Sequence, residues 1–441
     1  MKASFYESDI TPPLGCYMPG EHYPIFAHDV YDKIYSKALV IEQDGQYAVI
    51  IAVDMVEFPD TLFDCVTARI QEYTGISPDR VSITSTHAHC GAPVEDAPYL
   101  ALYSDKSYVS VFNRLVADSA ILAFKRLDTA AVSFGSAITE KIANSRCWIY
   151  DDGKIKSGRP NLEHAVRPIS EIDTELTALF FERDGKKIGA VINFPCHQDT
   201  VYGDPALPGE AIGEYAGHSG DMASIISSKL KEEYGSDFVS LFLIGPSGDV
   251  ACGEPYPTEN SRGGSGHVFL GGMLADYVKK ASKSTVEISG KLSVLSEDIV
   301  CAKRKLSREE LYGYIKKYLG DSPENMKLFN INLLMSYYFC DREDEKTLKI
   351  KVISIGDFAL YVYPGEIFSV YGLNTKRNSP FKYNMVAEQS NGLGGYIPTM
   401  EAFSENSELY EIAPSYCSFA APETGDILYE HIMKLAKSIK Q

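Results

Sequence analysis

Seven consecutive residues, Tyr47-Ala48-Val49-Ile50-Ile51-Ala52-Val53, do most to limit the folds open to this chain. The run is too short for a buried helix and rich in β-branched residues, so it reads as a strand covered on both faces. It follows Lys37-Ala38-Leu39-Val40-Ile41 across a turn at Asp44-Gly45, which makes the pair a hairpin. A strand with no wet face needs further layers to cover it.

Helices are available to do so. Residues 60–74 carry Leu62, Val66 and Ile70 at helical spacing and stop at Gly75; residues 108–126 have the same character. Further strands are expected at 177–181, 188–194, 239–244, 348–355 and 358–362, and helices at 221–234, 271–282, 307–318 and 427–439. Hairpins mixed with strand–helix alternation predict an α/β fold, with mixed β-sheets flanked by helices. No internal sequence repeat or linker stands out, so residues 1–441 read as a single large domain. Segments 144–166 and 202–218 are polar, with glycine and proline, and read as long site-forming loops.

The formal net charge of −18 opposes binding to nucleic acid or to an anionic membrane. A small-molecule substrate is therefore the expected partner, with no stable membrane anchor. The opening residues lack the basic and apolar regions of a signal peptide. Nine cysteines occur without a CxxC pair, which suggests free thiols and a cytoplasmic location.

Chemistry-bearing residues cluster where strands run out. His87 and His89 flank Ala88 directly after the strand Val81-Ser82-Ile83-Thr84, and a period of two would aim both imidazoles to one side, towards one metal or one substrate. Their alternative is a pair of loop histidines. His197 follows the run Ile188-Gly189-Ala190-Val191-Ile192, and stands equally as ligand or structural residue. Glu366 comes after Phe358-Ala359-Leu360-Tyr361-Val362 and Pro364-Gly365; it reads either as a backbone-held carboxylate or as a helix N-terminal acid. Gly245-Pro246-Ser247-Gly248-Asp249 could bring backbone close to a ligand but lacks the Walker lysine. Asp54 could orient a metal-bound histidine or cap the next segment, and Asp221 reads as a helix N-cap.

Taken in order, these motifs resemble the neutral/alkaline ceramidase family, in its N-terminal catalytic domain. The similarity runs through Thr11-Pro12-Pro13-Leu14-Gly15, Thr86-His87-Ala88-His89-Cys90-Gly91, Asn144-Ser145-Arg146, Cys196-His197, Gly248-Asp249-Val250, Pro364-Gly365-Glu366, Gly395-Tyr396-Ile397-Pro398 and Tyr410-Glu411. The resemblance implies one Zn2+ held by His87, His197, Glu366 and Tyr396. It implies catalytic roles for His89 as the substrate-binding or acid/base histidine and for Arg146 and Tyr410 as contacts to the scissile amide. The implied activity is amide hydrolysis by metal-activated water.

One departure is chemical. The family carries a serine after its Gly-Asp/Asn-apolar motif, and here that position is Ala251, so nucleophilic attack by a serine there is excluded. Ser247, four residues earlier, is the nearest substitute in sequence. The chain also ends soon after the catalytic domain, and no apolar patch for a long-chain lipid is evident. The expected substrate is thus a smaller, more polar amide. The alternative is a binding protein that keeps metal and fold without turnover. An amidohydrolase-type barrel fits less well, since two strands precede the HxH and the late ligand candidates are Glu and Tyr rather than Asp.

Overall fold

Hairpin-forming runs build the same four-stranded unit three times in the computed structural model, which describes residues 1–20, 25–94, 105–201, 217–253, 266–317 and 343–441. The first unit holds β1 (Lys2–Asp9), β2 (Tyr35–Gln43), β3 (Gln46–Val53) and β4 (Val81–Ser85). The second holds β5 (Ala131–Ile138), β6 (Glu175–Arg183), β7 (Lys186–Phe194) and β8 (Val239–Ile244). The third holds β9 (Leu292–Ala302), β10 (Glu345–Ile355), β11 (Phe358–Val362) and β12 (Tyr383–Ala387). In each, the first three strands pair antiparallel in sequence order, and the fourth adds parallel to the third. The chain carries no matching sequence repeat; the likeness is one of topology.

A parallel neighbour cannot be reached by a tight turn, so each unit needs a crossover. The described residues hold seven helices, α1 (Asp60–Thr74), α2 (Lys106–Phe124), α3 (Asp221–Tyr234), α4 (Gly266–Ala281), α5 (Arg308–Lys316), α6 (Ser369–Asn378) and α7 (Thr424–Lys440). Crossovers run through α1, α3 and α6. With α2, α4 and α7, these helices cover the outer faces of the three sheets, each over its own apolar cluster. The inner faces meet in one core to which all three sheets contribute: Leu39 and Ile50, Leu179 and Leu241, Ile353 and Leu360. Alternate residues of one strand thus serve the common core and the helix layer, which is why β3, β8 and β11 carry apolar residues on both faces. None of these helices is long and apolar enough to cross a membrane.

This arrangement brings the carboxyl ends of the parallel strand pairs together, where sites form in α/β sheets. The exits are sewn to one another by main-chain bonds: Thr86 N to Val53 O at 2.8 Å, Ser85 N to Gln389 O at 3.1 Å, Glu388 N to Ile244 O at 3.0 Å. The expected α/β class with mixed sheets and flanking helices matches what is found. The expected loop at 144–166 does not. Its residues supply short strands to a four-stranded sheet made of Cys147–Tyr150, Ile155–Ser157, Ala165–Pro168 and Ser407–Glu408. Strands of two to four residues are too short to show a period. Of the second expected loop, residues 202–216 lie outside the described residues. Asp221 is the first helical residue rather than the cap; its carboxylate accepts from Thr200 N at 2.8 Å and Met222 N at 2.7 Å.

Candidate metal centre

Three strand exits and one short strand pair bring the site together. His87 follows β4 and adopts φ 66°, a left-handed conformation that costs a non-glycine residue energy and is held here by the flanking main-chain bonds. The strand ends at Ser85, so the spacing argument for His87 and His89 is replaced by a turn. The two rings still converge, with centroids 4.9 Å apart. His197 leaves β7 two residues after Pro195. Glu366 pairs in register with Tyr396 on the parallel strands Glu366–Ile367 and Tyr396–Ile397, which sets their side chains side by side. That pairing needs glycine: Gly365 has φ 63°, and a Cβ there would strike the backbone of Gly394 and Gly395.

The donor atoms converge. His87 Nε2 is 2.9 Å from His197 Nε2 and 3.4 Å from His89 Nε2. Glu366 Oε2 lies 3.6 Å from His87 Nε2 and 3.3 Å from His197 Nε2. His87, His89 and His197 form a group able to hold a metal ion, with their nitrogens within 4.8 Å of one another. The remaining nitrogens of two rings show why a cation fits. His87 Nδ1 faces the Val56 carbonyl at 2.8 Å, and His197 Nδ1 faces the Ser247 carbonyl at 3.2 Å. A carbonyl only accepts, so a proton on each Nδ1 satisfies these contacts and leaves each Nε2 presenting a lone pair, which at His197 also faces Arg146 Nη1. Two lone pairs at 2.9 Å cannot bond to each other, and burial opposes protonating either ring. Burial lowers His87 to about 4, and together with Arg146 it holds His197 well below the usual imidazole range. Glu366 Oε2 is buried without a hydrogen-bond donor, and burial raises the carboxyl to about 7 against the opposing pull of Arg146 and Tyr396. Tetrahedral zinc with bonds of about 2.0–2.1 Å asks for donor separations of roughly 3.3–3.4 Å. The cluster is close to that spacing.

Arg146 enters from the side. Its Nη1 sits 3.2 Å from His197 Nε2, and its Nη2 donates to Tyr396 Oη and Gly248 O, each at 3.0 Å. Tyr410 stacks edge-on against Tyr396 at 5.7 Å. The seven residues to which the resemblance gives ligand or catalytic roles therefore lie in one neighbourhood. What the sequence reading missed is Glu411, fully buried, with Oε1 2.8 Å from Arg146 Nε. The carbonyls of Val56 and Ser247 were missed too, because backbone acceptors leave no trace in residue type.

Other expectations are corrected. Asp54 accepts from Tyr35 N at 2.8 Å and from Thr86, and so braces the exit of β3 rather than a histidine ring. Ser247 donates its hydroxyl to Glu388 Oε1 at 2.6 Å, which commits it away from the cluster. Ala251 lies on the short strand Val250–Cys252, opposite Asn144. Cys196 and Cys252, with Cα atoms 5.7 Å apart, are disulfide-bonded, so the thiols are not all free. Cys340 lies outside the described residues.

By sequence, no protein family model and no curated protein matches this chain. By structure, it matches neutral ceramidase from Pseudomonas aeruginosa with a TM-score of 0.73 at 16% identity, over 100% of this chain and 74% of that one. A ceramidase complexed with C2 matches with a TM-score of 0.75 at 16% identity, over 100% and 75% of the two chains. At that identity the likeness establishes the fold.

Proposed function

We propose that this chain, which has the neutral ceramidase fold, is a metal-dependent hydrolase of amide bonds. The observation that carries the proposal is the convergence of two imidazole nitrogens 2.9 Å apart beside a buried carboxylate oxygen, Glu366 Oε2, that has no hydrogen-bond donor. His87, His197 and Glu366 would hold the ion, with Tyr396 adjoining Glu366 as the fourth ligand, and Zn2+ suits this nitrogen and oxygen set. When bound, zinc would lower the pKa of water to about 7 and polarise the substrate carbonyl.

The protein's own groups supply the rest. His89 is the least buried of the three histidines, and in this reading it carries the proton from the attacking water to the leaving nitrogen. Arg146 is fixed by Tyr396 and Gly248, so its guanidinium can receive the charge that grows on the amide oxygen, with Tyr410 as a second donor. Ala251 has no hydroxyl, which leaves water as the nucleophile. The substrate we favour is a small, polar N-acyl compound rather than a long-chain lipid. The location we favour remains the cytoplasm.

Ala251 also motivates a second reading, a metal-containing binding protein without turnover. The two separate on one assay series, in which zinc-loaded and chelator-treated protein are incubated with N-acyl amino acids, N-acetyl sugars and a fluorescent ceramide. Zinc-dependent release of amine from the first two classes supports the hydrolase. Stoichiometric zinc with no turnover of any of them supports the second reading, and efficient turnover of the ceramide alone removes the polar-substrate assignment.

A further inference from the structure

We infer that Glu411 is a positioning residue which fixes and neutralises Arg146 so that the histidine cluster can accept a divalent cation; this rests on the metal-centre reading above. The reasoning starts from a conflict of charge. Arg146 Nη1 stands 3.2 Å from His197 Nε2, so a permanent cation occupies the neighbourhood that a metal ion must enter. Like charges in a buried site repel strongly unless a counter-charge is present. Two of the arginine's other contacts, Tyr396 Oη and Gly248 O, are uncharged acceptors. Glu366 would spend its charge on the metal ion, which leaves Glu411, with Oε1 2.8 Å from Nε, as the counter-charge outside the ligand set.

Geometry adds a second part. The guanidinium is a rigid plane, so an ion pair that draws Nε towards Glu411 restricts where both Nη atoms can point. Here that direction is towards His197 and Tyr396. Glu411 is itself held from several segments. Its Oε2 accepts from Ser157 Oγ, that same Oγ accepts from Tyr410 N at 2.7 Å, and its main-chain oxygen accepts from Ser418 Oγ at 2.8 Å. Ser157 thereby ties the strand Ile155–Ser157 to the turn Tyr410–Ile412 that carries both Tyr410 and Glu411.

The test is a double-mutant cycle read by zinc affinity, measured by competition with a chromogenic chelator. Glu411→Gln keeps the shape and removes the charge, and zinc affinity should fall about 10- to 100-fold. In an Arg146→Met background the same substitution should change affinity less than about threefold, since no cation is left to neutralise. Ser157→Ala, a milder change should Glu411→Gln fail to fold, should lower affinity several-fold with the same dependence on Arg146. Equal losses in both backgrounds, or no loss in the arginine-containing one, would overturn the inference and leave the metal centre standing. Failure of the wild-type protein to bind zinc would remove both.

Discussion

Replacing His197 by alanine is the perturbation whose size follows most directly from the geometry. Its Nε2 makes the closest approach in the cluster, 2.9 Å to His87 Nε2, and stands 3.3 Å from Glu366 Oε2. Four-ligand structural zinc sites bind with about 10–16 kcal/mol, or roughly 2.5–4 kcal/mol per ligand if shared equally. That corresponds to a loss of about two to three orders of magnitude in zinc affinity. Without metal the variant should lose little stability, because the deletion also removes an unfavourable contact between lone pairs and leaves His87 bonded to Val56 O. The assay pairs chelator competition for affinity with thermal unfolding in the presence and absence of zinc. Wild type should gain stability with zinc, and the variant should gain much less. Zinc affinity in His197→Ala within threefold of wild type would refute the reasoning, since no donor this close to the others could then be a ligand.

Three further outcomes are expected. Gly365→Ala should destabilise the metal-free fold by about 3 kcal/mol or more in chemical denaturation, because φ 63° is strained for alanine and its Cβ meets the Gly394–Gly395 backbone. Ser247→Ala should cost about 1–2 kcal/mol through the lost bond to Glu388 yet leave any amidase rate within threefold; a collapse in rate with the fold intact would point back to a serine mechanism. Lys351, buried and donating to Val81 O, is lowered by burial from 10.5 to about 7. Between those values the unfolded chain binds the extra proton, so this group's penalty is full below about pH 7 and relaxes by about 1.4 kcal/mol per pH unit above it. The stability gained by Lys351→Met should therefore be largest at or below pH 7 and shrink towards pH 10, and a gain that grows with pH would contradict the assignment.

How much of this was legible in the sequence depended on burial. β3, β8 and β11 are apolar on both faces, so composition alone revealed them, and the residues just beyond β4, β7 and β11 converge on the candidate site. β9 was missed because it is an edge strand whose middle, Ser296-Glu297-Asp298, is polar and breaks the apolar pattern. The first strand hides Ser4 and Ser8 among its buried positions, which blurs the apolar pattern. α6 is short, polar and carries Gly372, so it gives little helical signal. Glu411 could not be found from its neighbours in sequence, since its meaning comes from Arg146, far away in the chain. The Asp221 assignment failed for a similar reason: its carboxylate reaches Thr200, a tertiary partner that helix-capping rules do not anticipate.

The central claim is that His87, His197, Glu366 and Tyr396, drawn together from distant parts of the chain, share one ion. Diffraction from crystals of the purified protein, recorded on both sides of the zinc absorption edge, tests it most directly. One strong anomalous peak is expected within about 2.0–2.2 Å of His87 Nε2, His197 Nε2 and a Glu366 carboxylate oxygen. A protein that carries zinc elsewhere, or that shows no peak between these three residues after soaking in zinc, would contradict the account.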